Sequence, residues 1–250
     1  MIFAAGLGTR LKPLTDTMPK ALVPVGGVPL LQRVATRILD AGIRDIVVNT
    51  HHFAEQIAGY VALDPVLQAC VRISPEPDRL LETGGGLLHA RTLLEGDGPV
   101  LVHNVDILSN LDLHQFIARA HPDALATLVV SERATSRYLL FDDDLRLVGW
   151  TDTRSGEVRS PFPALDPSRC RRLAFAGIHL VSDRIFGVME ALGFAGRFSI
   201  IDFYLRAATG YPVYGYVPDR FAMLDVGKAD SLEQAEAFVR RSGFCDSGEK

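Results

Sequence analysis

Short β-rich runs alternate with amphipathic stretches over the first half of the chain, and this alternation constrains the fold more than any other feature. It is typical of a parallel or mixed sheet with helices on both faces. Such sheets bind ligands in a crevice beyond the carboxyl ends of their strands. The predicted strands are Met1–Ala5, Ile43–Asn49, Val71–Ser74, Val100–His103 and Ala126–Val130. The predicted helices between them are Pro29–Ala41, Ala54–Val61, Gly86–Leu94 and Leu113–Ala120.

The second half has a different pattern. Two β-rich runs, Tyr138–Phe141 and Arg146–Trp150, flank three consecutive aspartates, which predicts a hairpin with an acidic turn. The segment Thr151–Arg172 is polar and proline-bearing, so we expect a long loop or flap there. The remaining predicted strands are Leu173–Val181, Val213–Val217 and Phe221–Val226, and the remaining predicted helices are Ile185–Leu192, Ile200–Ala208 and Ser231–Arg240.

The composition excludes several classes of protein. The 250 residues include 26 basic and 30 acidic side chains, a net charge of −4, without a block of like charge. This balance argues against general binding to nucleic acids or anionic membranes. No apolar run approaches the ~20 residues that span a bilayer, and the first residues lack the basic region of a secretory signal. We therefore expect a cytoplasmic protein. The three cysteines are far apart and predict neither a disulfide nor a metal site.

The loop after the first strand, Gly6–Lys20, contains most of the functional information. Gly6 and Gly8 follow a strand as in a dinucleotide-binding loop, but Leu11 occupies the place of the third glycine. Pro13 also prevents a helix from opening directly against a pyrophosphate. What remains is a glycine-containing loop whose backbone N–H groups can bind phosphate. Three cations accompany it: Arg10, Lys12 and Lys20. Glycines and charges alone are equally compatible with an ordinary basic surface loop.

A resemblance to a known family begins in this loop, with Gly6-Leu7-Gly8-Thr9-Arg10-Leu11, Pro13-Leu14-Thr15 and Pro19-Lys20. This string resembles the signature of the nucleotide-sugar pyrophosphorylases, the sugar-phosphate nucleotidyltransferases that join a nucleoside triphosphate to a sugar 1-phosphate. The resemblance continues in the family's order through Glu82–Gly86, Asn104–Asp106, Phe175–Ile178 and Leu224–Gly227. Ser74-Pro75-Glu76 followed by the Glu-Thr-Gly-Gly-Gly segment is most similar to the small bacterial N-acetylmuramate 1-phosphate uridylyltransferases, which recycle cell-wall sugars.

This resemblance implies a glycosyltransferase-A-like nucleotidyltransferase fold, an α/β architecture with a Rossmann-like mixed, mostly parallel sheet flanked by helices. We expect a single nucleotidyltransferase domain over residues 1–250. Its nucleotide-binding half is 1–130, its sugar-binding half is 131–240 with the flap 151–172, and residues 241–250 form a tail. The expected assembly is a monomer or a small homo-oligomer.

The implied reaction is attack of a sugar phosphate oxygen on the α-phosphorus of the triphosphate, with pyrophosphate as the leaving group. Positioning and charge stabilisation dominate such a transfer. Because the two phosphorylated substrates repel each other, Mg²⁺ and fixed cations must offset the repulsion. Mg²⁺ keeps several waters and needs only one or two protein carboxylates. By resemblance, Asp106 and Asp225 are the two metal ligands.

The resemblance assigns roles to the other candidate residues. Catalytic roles belong to Arg10, Lys20 and Asp106, with Lys20 facing the α-phosphate and the sugar phosphate. The implied nucleotide-binding residues are Ala5, Gly6, Gly8, Thr9 and Arg10 at the phosphates and Thr83, Gly84 and Gly85 at the base. The implied sugar-binding residues are Lys20, Asn104, Gly177 and Asp202.

Several alternatives stay open on the sequence alone. Thr83 is also compatible with a helix N-cap, Gly177 with a β-bulge and Asp202 with a helix-surface charge. Glu76 and Glu82 do not choose the base, because a carboxylate can accept hydrogen bonds from guanine or from uracil. Two other functions therefore stand beside uridylyl transfer. One is a guanylyltransferase acting on mannose- or heptose-type 1-phosphates, and the other is a catalytically silent domain that binds a nucleotide sugar and regulates a partner.

The chain departs from the family pattern at two places. Val105 stands where the family usually has glycine before the metal aspartate, and its side chain either crowds the nucleotide or turns away. The Thr151–Arg172 segment is longer than in the small uridylyltransferases and lies where a lid over the sugar can form.

Overall fold

A computed structural model describes residues 1–76, 78–96, 98–227 and 231–241. The chain divides into two compact units and passes between them more than once. The first unit holds residues 2–76, 78–79, 104–111, 222–227 and 231–241, and the second holds Met1 with residues 80–96, 98–103 and 112–221. The predicted tail lies outside the described residues except for Arg241.

Strands and helices alternate over most of the first half of the chain, as the sequence pattern predicts, and strands predominate between residues 126 and 181. The strands are β1 (Ile2–Phe3), β2 (Pro24–Val25), β3 (Val28–Pro29), β4 (Ile46–Thr50), β5 (Val71–Pro75), β6 (Val100–Asn104), β7 (Ile107–Ser109), β8 (Ala126–Ser131), β9 (Arg137–Phe141), β10 (Leu147–Asp152), β11 (Glu157–Arg159), β12 (Arg171–Val181), β13 (Val213–Tyr216) and β14 (Met223–Asp225). The helices are α1 (Leu30–Asp40), α2 (Ala54–Leu63), α3 (Pro65–Cys70), α4 (Glu82–His89), α5 (Arg91–Leu94), α6 (Leu113–Arg119), α7 (Ile185–Ala191), α8 (Ile200–Ala207) and α9 (Ser231–Arg241). Among the described residues, no helix is long and apolar enough to cross a membrane.

In the first unit, β1, β4 and β5 form parallel pairs. Every residue of β4 is buried, as is typical of a central strand with both faces covered. Helix α1 packs through apolar residues at helical spacing: Leu30, Leu31, Val34, Ala35 and Ile38. Two short antiparallel pairs complete the unit, β2 with β3 and β7 with β14. The guanidinium of Arg37 on α1 donates to the carbonyl oxygens of Ser109 and Leu111, which fixes the chain after β7.

In the second unit, the long strand β12 pairs antiparallel with β6, β8 and β9. Strand β10 lies between β9 and β11, and β13 runs parallel to β8. The hairpin predicted around the acidic turn is confirmed, and Asp142 closes it by accepting from the N–H groups of Asp144 and Arg146. The combination of parallel and antiparallel pairs with flanking helices confirms the predicted mixed α/β class.

Most elements begin or end a few residues from their predicted bounds, and two segments differ more. The helix predicted from Gly86 begins at Glu82 and is interrupted at Ala90, because the first turn is held by contacts with residues 196–198 that local propensity does not encode. Part of the segment 151–172 is a strand, β11, which pairs with β10. The hydroxyl of Thr151 on β10 strengthens this pairing by donating to the carbonyl oxygen of Glu157 on β11.

Candidate active site

The loop that follows β1 is exposed over much of its length and is buried at Leu11, Thr15 and Pro19–Lys20. Gly6, Thr9 and Arg10 are exposed, and no atom lies within 4 Å of the position that a Cβ on Gly6 would occupy. Three 3₁₀ turns follow, at Thr9–Leu11, Leu14–Asp16 and Lys20–Leu22. The exposed part of the loop is therefore accessible to an anion.

Gly8 is the position at which the loop folds back on itself. Its φ of +63° is left-handed, and an added Cβ would lie 2.9 Å from Cγ2 of Thr15 and 3.2 Å from Cβ of Lys20. The Thr15 hydroxyl donates to the Gly8 carbonyl oxygen at 2.8 Å and is buried with it. The absence of a side chain at Gly8 thus lets Cβ of Lys20 pack close to the loop backbone. Thr15 holds this part of the loop in place, a role that the sequence analysis did not assign to it.

A buried polar pair anchors the start of the loop. Asn49 on β4 accepts from the N–H of Ala4 at 2.8 Å and donates to Oε1 of Glu76 at 2.7 Å. Asn49 is 3% exposed and Glu76 is 2% exposed, so both satisfy their polar atoms inside the protein. Glu76 was a candidate for the base on sequence grounds, but here its carboxylate holds Asn49 in place. Asn49 reaches Ala4 and Glu76 only because β4 lies between β1 and β5, so the residues next to Asn49 in the sequence do not predict its role.

The two candidate metal ligands come from distant parts of the chain and meet through strand pairing. Strand β7 pairs with β14 so that Asp225 faces Ile107, and the N–H of Val226 donates to the carbonyl oxygen of Asp106 at 2.8 Å. Asp106 directly precedes β7, so its backbone lies beside the end of β14, where Asp225 is. Asp225 is exposed, whereas the Asp106 side chain is 19% exposed.

Lys20 contacts Asp106, and Arg10 and Asp225 both lie against Gly227. Nζ of Lys20 forms an ion pair with Oδ2 of Asp106, and the Lys20 side chain is 11% exposed. Arg10 and Asp225 both lie close to Gly227: a Cβ on Gly227 would lie 2.9 Å from Nη2 of Arg10 and 2.6 Å from Oδ1 of Asp225. Because residue 227 is glycine, the Arg10 guanidinium and the Asp225 carboxylate can both pack against its backbone. Lys12, by contrast, pairs with Asp16 at 2.9 Å on the exposed side of the loop.

The first unit therefore gathers a loop of accessible backbone, two cations and two carboxylates. Among the described residues, no three acidic, histidine or cysteine side chains cluster as a metal cage. Mg²⁺ needs no such cage, since it is usually held by one or two carboxylates together with substrate phosphates and water.

Val105 and Asn104 directly precede Asp106, the candidate metal ligand. Val105 is 4% exposed and its N–H donates to the carbonyl oxygen of Phe3 at 3.1 Å, so its side chain turns into the core. Of the two alternatives that the sequence left for the Val105 side chain, the structure therefore has the one in which it turns away from the exposed loop. Asn104 ends β6 and is half-buried.

Thr83, Gly84 and Gly85 lie in the first turns of α4, in the second unit. The Thr83 hydroxyl accepts from the N–H of Ile200 at 3.0 Å, so Thr83 caps α8 rather than its own helix. The N–H groups of Gly84 and Gly85 donate to the carbonyl oxygen of Phe198 at 3.0 and 3.1 Å. A Cβ on Gly84 would overlap the Phe198 ring, and one on Gly85 would overlap the carbonyl oxygen of Gly196.

The remaining sugar candidates also lie in the second unit. Gly177 has a φ of +74° and lies where the pairing of β12 with β8 shifts register, so it is a bulge glycine. Asp202, in the first turn of α8, forms an ion pair at 2.6 Å with Nη1 of Arg159. Sequence reasoning missed Arg159, because only the pairing of β10 with β11 brings it to Asp202.

Comparison with known proteins identifies the family of this chain. The family model described as nucleotidyl transferase matches residues 1–139. An N-acetylmuramate alpha-1-phosphate uridylyltransferase of Caulobacter vibrioides is 34% identical over 95% of each chain. A mannose-1-phosphate guanylyltransferase of Mycobacterium tuberculosis is 32% identical over 47% of this chain and 32% of its own length. Among solved structures, HddC from Yersinia pseudotuberculosis complexed with GMP-PN superimposes with a TM-score of 0.72 at 23% identity, covering 95% of this chain and 97% of its own.

Proposed function

Because the chain belongs to the nucleotidyl transferase family, we propose that it transfers uridylate from UTP to N-acetylmuramate 1-phosphate and releases pyrophosphate. The observation that carries the reaction is the gathering of Arg10, Lys20, Asp106 and Asp225 around one glycine loop. The choice of base and sugar rests on the similarity to the Caulobacter uridylyltransferase, which extends over almost the whole length of both chains. We propose that the enzyme acts in the cytoplasm as a monomer or a small homo-oligomer.

Asp106 and Asp225 fit a bound Mg²⁺. They are hard oxygen ligands, two in number, their backbones are brought together where β7 pairs with β14, and one of them is exposed. When bound, Mg²⁺ would neutralise phosphate charge and support the departure of pyrophosphate. Lys20 balances the charge of Asp106 through their ion pair.

The cations and the loop stabilise the charge that develops during transfer. An oxygen of the sugar phosphate bonds to the α-phosphorus as the bond from that phosphorus to the pyrophosphate oxygen breaks. We assign the backbone of Ala5–Thr9 and the guanidinium of Arg10 to the β- and γ-phosphates, where negative charge accumulates on the leaving group. Lys20 is assigned to the α-phosphate and the incoming phosphate. The ion pair with Asp106 and the low exposure of the Lys20 side chain support this role, since a fixed ammonium needs no reorganisation at the moment of reaction.

Base and sugar recognition are assigned to separate residues. Thr83, Gly84 and Gly85 are proposed to receive the uracil, and the close packing of both glycines on residues 196–198 would hold this backbone rigid. Asn104, Gly177 and Asp202 are proposed to contact the sugar. The left-handed Gly177 and the salt-bridged Asp202 are both features with a structural role of their own, so their assignment to the sugar rests on the family resemblance.

A guanylyltransferase acting on a mannose- or heptose-type 1-phosphate is the second candidate. The observation that favours it is the 32% identity to the mycobacterial mannose-1-phosphate guanylyltransferase over 47% of this chain.

The deciding experiment measures pyrophosphate release with Mg²⁺ across four nucleoside triphosphates and a panel of sugar 1-phosphates. The panel includes N-acetylmuramate, N-acetylglucosamine, glucose and mannose 1-phosphates. Release confined to UTP with N-acetylmuramate 1-phosphate supports the proposal, and release with GTP and mannose 1-phosphate supports the second candidate. No release from protein with a cooperative thermal transition contradicts both and favours a binding domain. Lys12→Gln serves as a matched control for cation removal, because Lys12 pairs with Asp16 away from the acidic pair.

A further inference from the structure

An arginine and a tryptophan face each other across the edge of the second unit's sheet. Trp150 on β10 and Arg159 on β11 are directly paired in the antiparallel register. The Arg159 guanidinium lies 4.1 Å from the centroid of the Trp150 ring, well within the range of a cation–π contact. Stacking on an aromatic face restrains the plane of the guanidinium, so its hydrogen-bonding fork points in a defined direction.

The backbone that presents Arg159 is held on both sides. Before it, the Thr151 hydroxyl donates to the carbonyl oxygen of Glu157 at 3.0 Å. After it, the Ser160 hydroxyl donates to the carbonyl oxygen of Val148 at 2.7 Å. Gly149 lets the strands close, because a Cβ there would lie 3.1 Å from the carbonyl oxygen of Arg159. Arg159 is therefore presented from a fixed strand.

The donors of Arg159 are only partly used. Nη1 donates to Oδ1 of Asp202 at 2.6 Å, and the nearest approach of Nε to Glu157 is an ion-pair distance of 3.7 Å. Within the part of the chain that the structure describes, the buried Nε has no hydrogen-bond partner. A buried donor without an acceptor costs free energy. A carboxylate that reached Nε would therefore satisfy a donor that the protein leaves unpaired.

The pair with Asp202 is suited to exchange. The Arg159 and Asp202 side chains are 40% and 47% exposed, and ion pairs with this exposure contribute little to stability. A carboxylate arriving with a ligand would replace one acceptor by another at small cost. Asp202, once released, would be free to accept a hydrogen bond from a sugar hydroxyl.

We infer that Arg159 recognises the carboxylate of an acidic sugar substrate and so sets the specificity of the enzyme for N-acetylmuramate over N-acetylglucosamine. This inference rests on the proposed function, in which Asp202 contacts the sugar. The two sugars differ by a lactyl ether that carries one carboxylate, and a planar guanidinium binds a carboxylate through two parallel hydrogen bonds. Arg159 supplies that fork beside Asp202, a proposed sugar residue.

The test compares two nucleotide sugars that differ only in the lactyl group. Binding of UDP-N-acetylmuramate and UDP-N-acetylglucosamine is measured by calorimetry on wild-type protein, Arg159→Gln, Arg159→Lys and the control Arg137→Gln. Arg137 is an arginine on the neighbouring strand β9 with a 3.5 Å ion pair to Asp152 and a 69% exposed side chain. KM and kcat for the matching sugar 1-phosphates are measured in parallel.

Arg159→Gln is expected to weaken binding of UDP-N-acetylmuramate by about 10- to 100-fold, the range for hydrogen bonds to a charged group. Its affinity for UDP-N-acetylglucosamine should change less than about 3-fold, since an exposed ion pair is all that is lost there. The defect should appear in KM rather than kcat, Arg159→Lys should recover part of it, and Arg137→Gln should match wild type.

Two results would overturn the inference in distinguishable ways. Equal weakening for both nucleotide sugars, or none for either, shows that Arg159 does not read the carboxylate even though the proposed function stands. Wild-type protein that binds neither ligand and releases no pyrophosphate from UTP with N-acetylmuramate 1-phosphate overturns the proposed function and this inference together.

Discussion

Replacing Gly8 by alanine should destabilise the protein and impair catalysis together. The φ of +63° lies in the left-handed region, where a side chain costs about 1–2 kcal/mol. The added Cβ would lie 2.9 Å from Cγ2 of Thr15 and 3.2 Å from Cβ of Lys20, and relieving such overpacking costs about 1–3 kcal/mol. We expect the free energy of unfolding to fall by about 2–5 kcal/mol. Because the loop must move away from Lys20, kcat should fall as well.

Other positions separate the two contributions. Gly27 has a φ of +79° and no atom within 4 Å of an added Cβ, so Gly27→Ala should show the backbone cost alone. Gly6 has open space and is not left-handed, so Gly6→Ala should change stability by less than about 0.5 kcal/mol. Adding Thr15→Ser to Gly8→Ala removes Cγ2 and keeps the hydroxyl that donates to the Gly8 carbonyl oxygen. It should recover part of the lost stability.

Stability is measured by urea unfolding followed by far-ultraviolet circular dichroism, and activity by pyrophosphate release. Gly8→Ala that is no less stable than Gly27→Ala would show that the loop accommodates the Cβ, and the packing argument would then be wrong. Gly8→Ala with reduced stability but normal kcat would refute the link between the Gly8 seat and the position of Lys20.

Three further predictions follow from the site and the core. Asp106→Asn should lower the rate of pyrophosphate release by about 100-fold or more with unchanged circular dichroism, because a neutral amide is a poor Mg²⁺ ligand; near-normal rates would remove Asp106 from the mechanism. Gly84→Ala should lower the free energy of unfolding by about 1–3 kcal/mol, since its Cβ would overlap the Phe198 ring, and adding Phe198→Leu should recover part of the loss on the same urea curves. Burial lowers the pKa of His179 to about 3, so the folded protein resists a proton that the unfolded chain accepts near pH 6.5. The contribution of His179 to stability is therefore full above about pH 6.5 and is lost as the pH falls toward 3, at about 1.4 kcal/mol per pH unit. Between pH 6 and 4, His179→Gln should reduce the dependence of the free energy of unfolding on pH by about 1.4 kcal/mol per pH unit, which corresponds to one proton. An unchanged slope would contradict the lowered pKa of His179.

Part of the candidate site is readable from neighbouring residues. The Gly6–Lys20 loop combines glycines, prolines and cations within one segment, and this local pattern predicts a phosphate-binding loop after a strand. The alternation of strands and helices likewise depends on residues close in the chain, and it predicts the α/β class. The roles assigned to the individual site residues stay predictions that the variants above test.

Other parts of the site have no local signal. Asp106 and Asp225 become neighbours only when β7 pairs with β14, and the register of that pair decides which residues face each other. Asn49 reaches Ala4 and Glu76 because β4 lies between two partners. Arg159 reaches Asp202 because a segment expected to be a loop adds a strand to the sheet.

The sequence by itself therefore determined the kinds of element and the chemistry of the phosphate loop, because both arise from side chains a few residues apart. Only the tertiary structure decided which distant side chains share a site: the Lys20–Asp106 ion pair, the packing of Gly84 on Phe198 and the pairing of Arg159 with Asp202. The physical reason is that strand register and helix packing are set by the burial of whole elements against one another, and a slip of one residue would exchange every side chain on a strand between its two faces.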